Sequence, residues 1–179
     1  MRKVATLLIL VLFVLTACKK DKSIDELQVV VPKVEESKVK VVLDAVVKKD
    51  DSFQLFYTED GSLNFDETHT VRVNVKGNVT SQKIVFDLPD DCAFTFLRID
   101  TGENDKQDVI KVNGLLIKYY DKKLDAKGNA CFQYFAPNDQ MILDFPNSTL
   151  TPTPQAGKTY DPILYPLETL GPELQKLLK

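Results

Sequence analysis

With 179 residues and 20.2 kDa, the chain has the size of one ordinary globular domain and is too short for a multidomain machine. Its 44% hydrophobic and 27% charged residues exclude a disordered, collagenous or multi-span composition. Lys+Arg 23 against Asp+Glu 26, a net charge of -3, carries no electrostatic footprint for nucleic acid, and 3 Cys with 1 His nearly exclude a His/Cys metal cluster.

Residues 1–17, MRKVATLLILVLFVLTA, set Arg2 and Lys3 ahead of an uncharged apolar run from Val4 to Ala17, the layout of a secretory signal peptide. As a helix the run would span roughly 21 Å, short of the roughly 30 Å hydrocarbon core, so removal is expected rather than permanent insertion. Leu15-Thr16-Ala17-Cys18 resembles the bacterial lipobox, which implies acylation of Cys18 as the new N-terminus. Two or three acyl chains hold a protein stably on a membrane where one does not. Loss of residues 1–17 removes two cations and no acid, leaving 21 basic against 26 acidic residues and a net charge of about -5. Lys19 in place of Asp after the cysteine resembles the outer-membrane sorting choice of such lipoproteins, which implies an outer-membrane place in the cell envelope with the leaflet left open. Residues 18–37 read as the acylated cysteine and a polar tether in which LQVVV is one short strand ended by Pro32.

Residues 38–146 are expected to form the body. Strand-like runs follow at intervals of roughly a dozen residues: 39–47, 53–59, 69–77, 82–89, 94–100, 109–120, 130–136 and 141–145. Asp60-Gly61, Gly77-Asn78, Thr101-Gly102, Asn113-Gly114 and Gly128-Asn129 supply residues suited to turns. In VRVNVKG, Val71, Val73 and Val75 face one way and Arg72, Asn74 and Lys76 the other. Leu97 and Ile99 likewise alternate with Arg98 and Asp100. Eight or nine short strands of this kind predict an all-β fold, a single antiparallel β-sandwich. Residues 147–179 follow as a Pro-rich tail unsuited to a central strand, with a short terminal helix over 172–178. The tail lies along its own domain or serves as a docking peptide.

Few residues announce chemistry. Cys92 and Cys131 either form a disulfide, closing a loop of about 40 residues worth roughly 4 kcal/mol on the chain-entropy model, or remain buried thiols. His69, the single histidine, has no HExxH or GxSxG beside it, so no catalytic residue is assigned and a binding module rather than an enzyme is expected. Two oxygen-rich loops, one with Asp60, Asn64, Asp66 and Glu67 and the other with Asp100, Glu103, Asn104, Asp105 and Asp108, lack EF-hand spacing. They are read as solvated loops rather than calcium sites, and no cofactor or metal is assigned. In SFQLFYTED the alternation sets Phe56 apart from Phe53, Leu55 and Tyr57. Phe56, Arg72, Arg98 and Asp100 are the candidate ligand-binding set, a ring to stack on a sugar with polar groups for its hydroxyls.

The strings FQLFYTEDGSLNFDE, SQKIVFDLP, FLRIDTG and FQYFAPNDQMILDF, in that order, resemble the jelly-roll β-sandwich of galactose-binding-like type found in envelope lipoproteins of Bacteroidetes, including extracytoplasmic parts of glycan-related membrane proteins. The resemblance spans residues 38–146 and describes strands and turns more than a site. It implies a jelly-roll and a membrane-anchored module that binds glycans or glycoconjugates. The alternative is a structural or assembly lipoprotein that contacts another envelope protein through a sheet edge or the tail.

Overall fold

In the computed structural model, residues 39–90 and 92–179 are described. The expected signal peptide, Cys18 and the expected tether lie outside them. The described chain is an all-β sandwich of two antiparallel sheets built from eleven strands, with one short 3-10 helix and one α-helix.

The strands are β1 (Lys40–Val46), β2 (Asp51–Thr58), β3 (Thr70–Val75), β4 (Gln82–Asp87), β5 (Phe96–Asp100), β6 (Ile110–Tyr119), β7 (Lys122–Lys127), β8 (Phe135–Pro137), β9 (Met141–Asp144), β10 (Thr149–Pro152) and β11 (Ile163–Pro166). One sheet runs β4-β1-β6-β10-β9, with β7 also paired to β6; the other runs β3-β2-β5-β11-β8. Alternation explains the core. Val41, Leu43 and Ala45 of β1, Ile84 and Phe86 of β4, and Ile110, Val112, Leu115 and Ile117 of β6 are buried on the inner side of the first sheet. Phe53, Leu55 and Tyr57 of β2 and Leu97 and Ile99 of β5 meet them from the second. Burying each such side chain is worth roughly 1.5–3 kcal/mol, enough in sum to fix the two-layer arrangement.

Three expectations are corrected. Asn113-Gly114 is not a turn: Leu43 faces Leu115 and Ala45 faces Val112, so β6 carries an extra residue and continues through a bulge. Asn113 donates to Ser81 Oγ at 2.7 Å, and a Cβ on Gly114 would sit 2.9 Å from the Ala126 carbonyl oxygen. The chain instead reverses at Tyr120, which takes a left-handed conformation with φ 53°. Residues 130–136 are not one strand, because Gly128 at φ 53° ends β7 and opens the 3-10 helix Gly128–Gln133 before β8 begins.

The third correction concerns the tail, where the sandwich continues past residue 146 and the strand total exceeds the eight or nine expected. Strand β10 pairs with both β6 and β9, and β11 lies between β5 and β8. Proline is tolerated because Pro152 and Pro166 are the last residues of short strands, where a missing N–H breaks little of the ladder. Pro162, just before β11, uses its carbonyl to accept from Thr101 N–H at 2.8 Å. The terminal helix α1 (Leu170–Leu178) holds Pro172 in its first turn and buries Leu170, Leu174 and Leu177, the i, i+4, i+7 stripe, against the sandwich. No helix among the described residues is long and apolar enough to cross a membrane.

Candidate functional site

Strand β2 differs from its neighbours in being buried on both faces. Its inner residues belong to the core, yet the outward-facing Gln54, Phe56 and Thr58 are only 5%, 2% and 5% exposed. Pairing explains what stands over them. The register of β3, β2 and β5 sets Arg72, Gln54 and Asp100 in one row and Thr70, Phe56 and Arg98 in the next. Arg72, Arg98 and Asp100, singled out from the sequence, are therefore brought together on the outer face of the second sheet, where they line a cavity of about 710 Å3.

Phe56 is the exception in that set. Its ring is not open to a ligand but lies beneath the Arg98 guanidinium, 3.9 Å from the ring centroid, with Phe65 also near the cation at 5.6 Å. A cation over an aromatic face is attracted by the ring quadrupole. The ring is a platform for Arg98, and a sugar cannot reach it. The guanidinium in turn grips Asp100 bidentately, Nε donating to Oδ1 at 2.9 Å and Nη2 to Oδ2 at 2.8 Å. With both side chains mostly buried, burial pushes the Asp100 carboxyl above the usual carboxylate range. The Arg98 contact opposes that rise, and the neighbouring Asp161 and Glu67 charges add to it.

A second chain of contacts crosses the floor. Arg72 donates to Gln54 Oε1, to Glu103 and, at 3.2 Å, to Ser52 Oγ; Gln54 Nε2 donates to Glu67 at 3.0 Å. The walls are equally organised. Asp51 Oδ1 accepts the backbone N–H groups of Glu103 at 2.7 Å and Asn104 at 3.1 Å, and Oδ2 accepts from Gln107 at 2.9 Å. Such charge-assisted bonds pin the loop after β5 against the start of β2. Gly102 permits the approach, with φ 127° and space for a Cβ only 2.5 Å from Asp51 Oδ2. Opposite, Gln140 donates to the Thr159 carbonyl at 3.1 Å and accepts the Asp161 N–H at 3.1 Å, fixing the segment that carries Tyr160. Burial, with the charges of Asp51 and Asp105, pushes the Tyr160 hydroxyl up to about 12, so it stays protonated and able to donate.

The remaining candidates fall elsewhere. Cys92 and Cys131 are not joined; both are free and buried, the second of the two readings left by the sequence. Burial pushes each thiol up to about 12, helped at Cys92 by a contact with Glu59. Cys131 sits in the 3-10 helix, a bend that replaces the expected strand. His69 belongs to a separate recess beside Tyr57, whose ring it meets edge-on at 5.3 Å. Its Nδ1 lies 3.2 Å from Asp66, whose carboxyl is held at about 2 chiefly by Thr68 and then by His69. Among the described residues no group of three or more His, Cys, Asp or Glu side chains is placed to hold a metal ion. In the first acidic loop Asp60 accepts from the Ser62 N–H and Asp66 from Thr68, while in the second Glu103 meets Arg72 and Asp108 meets Lys49.

Sequence reading missed Gln54, Gln140 and Tyr160, and placed Glu67 in an acidic loop rather than in the binding set. Gln54 had a local signal, since it shares the face of Phe56 in the β2 alternation. Tyr160 had none, because the pairing of β11 with β5 brings the Pro-rich region to the cavity, and Gln140 meets that region only through its bonds to Thr159 and Asp161. No family model, no curated protein and no solved structure matches the chain.

Proposed function

We propose that this chain is a lipid-anchored envelope protein, carried on the outer membrane through acylated Cys18, whose sandwich is a galactose-binding-like jelly-roll of the Bacteroidetes lipoprotein type and binds glycans or glycoconjugates without catalysis. The carrying observation is the cavity on the outer face of β3, β2 and β5. Its volume, about 710 Å3, suits a mono- or disaccharide, and its lining is hydrogen-bonding throughout, with Tyr160 as a half-buried ring at the wall. A polyol needs many positioned donors and acceptors and one apolar flank, which is the chemistry these side chains offer. No catalytic step is proposed: Asp100 is tied to Arg98, Glu103 to Arg72, and the histidine lies in another recess.

Glycan-array binding by the full-length protein in detergent tests the reading, with Arg72→Ala and Tyr160→Ala as controls expected to lose at least tenfold in affinity, about 1.4 kcal/mol. Uniform absence of binding across the array removes it. The anchor is tested separately, since Cys18→Ser should abolish the lipid mass on the N-terminal peptide and release the protein from membranes.

One observation supports the alternative, a lipoprotein that contacts another envelope protein. Leu63, Phe96, Pro166, Leu167 and Pro172 line an apolar groove of about 310 Å3 beside α1, with Leu63 58% exposed. The tail is less available than that role would want, because Ile163 and Leu164 are buried in β11.

A further inference from the structure

We infer that the cavity selects an amine-bearing sugar, one with a free, protonated amino group, and rejects acidic sugars. The inference rests on the glycan reading above and concerns which glycan the same site takes.

Charge and its distribution carry it. Two cations line the cavity, Arg72 and Arg98, against five carboxylates, Glu67, Asp100, Glu103, Asp105 and Asp161, an excess of about three negative charges. Each guanidinium already faces a carboxylate of the cavity. Arg98 has its Nε and one Nη on Asp100 and its face on Phe56, and Arg72 is shared among Glu103, Gln54 and Ser52. Both cations are engaged in holding the floor together.

The surplus carboxylates are differently placed. Glu67 accepts a hydrogen bond from the neutral Gln54. Asp105 and Asp161 are exposed at the rim, and neither side chain has a hydrogen bond or ion pair among the described residues. Their fields converge within the cavity: Asp161 and Glu67 both act on the Asp100 carboxyl, and Asp105 acts on the Tyr160 hydroxyl. A recess of one sign, walled by low-dielectric protein, concentrates that field on whatever enters. An ammonium group brings three donors and the one charge the walls lack. A neutral acetamido group brings one donor and no charge, and a uronate meets repulsion from carboxylates that outnumber the two arginines already facing them.

Isothermal titration of the full-length protein in detergent at about pH 6 tests the inference with three disaccharide probes: chitobiose with free amines, its diacetylated form, and cellobiuronic acid. The free-amine probe should bind at least about tenfold more tightly than the diacetylated one, and the acid should not bind. The preference should shrink several-fold as salt is raised from about 50 mM to about 500 mM, because the rim charges are solvent-exposed. In Asp105→Asn/Asp161→Asn the two neutral and cationic probes should bind within about twofold of each other. Equal or tighter binding of the diacetylated or acidic probe, or an amine preference that survives in the double variant, overturns the inference and leaves the glycan reading standing. Silence from every sugar on the array and in the calorimeter removes both.

Discussion

The two outer faces of the sandwich teach different lessons. On the first sheet β1 alternates as a strand with one dry and one wet side should, each buried residue followed by a half-exposed one. Its outward row of Val85, Val42 and Leu116 across β4, β1 and β6 stands beside solvent, Val85 being 37% exposed. On the second sheet β2 is buried over six consecutive residues, Phe53 to Thr58. The difference is not made by β2 alone. Arg98 and the loop carrying Phe65 cover its outer side, and the polar groups beside that cover form the cavity. A strand wet on one side reports only a core; a strand dry on both, capped by a charged pair, reports something built above it.

The largest effect that would break this comparison is at Phe56. Because it is as buried as an inner residue, Phe56→Ala should cost about 3–5 kcal/mol, matching Phe53→Ala on the core side. A cost under about 1 kcal/mol in urea denaturation would mean the outer side of β2 is an ordinary surface.

The ion pair above it comes next. Arg98→Met leaves the mostly buried Asp100 without its partner and should cost about 2 kcal/mol by the same measurement, less than a fully buried pair because some exposure remains. Adding Asp100→Leu should recover most of that loss; if it does not, the guanidinium's place on Phe56 matters more than the pair.

Gly102→Ala should cost about 1–3 kcal/mol through its positive φ and the approach to Asp51. It should also weaken glycan binding by displacing the wall of the cavity. Full affinity in this variant would show that the loop does not shape the site.

Acid titration separates two carboxyls. Asp66 is held low, so its contribution to stability is present above the ordinary value of 3.8 and is lost as pH falls toward about 2. Asp100 is raised, so its contribution has the opposite sign, being present below 3.8 and lost as pH rises through its native value. Urea midpoints measured from about pH 6 to pH 2 should therefore fall less steeply on acidification in Asp66→Asn and more steeply in Asp100→Asn, relative to the parent.

The smallest effect is Val85→Ala on the solvent side of the first sheet, expected within about 0.5 kcal/mol of the parent. Thiol titration completes the set, since Cys92 and Cys131 should stay unreactive at neutral pH in the folded chain and both react once urea unfolds it.

Local pattern was enough to read the sandwich class and seven strands, β1 to β6 and β9, because alternation is a property of neighbouring residues and the wet and dry sides of VRVNV or FLRID are visible one residue at a time. The same locality limited the reading elsewhere. Asn113-Gly114 has turn chemistry, yet pairing with β1 on one side and β7 on the other turns it into a bulge. Strands β10 and β11 were illegible among prolines because β10, although it pairs with its neighbour β9, joins the sheet through β6, and β11 pairs with β5 and β8, all three distant in sequence. Of the site, Arg72, Arg98 and Asp100 could be picked out as polar residues on the outward side of strands. That Phe56 would be covered rather than offered could not, because what covers it comes from another strand and a loop.

By itself, then, the sequence determined the alternation of inner and outer side chains, the two-layer class that follows, and the charged residues eligible for a site, all set by local backbone geometry and hydrophobicity. Tertiary structure alone decided the register that stacks Arg98 on Phe56, the return of the Pro-rich region as β10 and β11, and the acidic walls around the cavity. Those depend on which distant strands pair, and pairing minimises unsatisfied backbone and exposed apolar surface over the whole chain rather than within any segment.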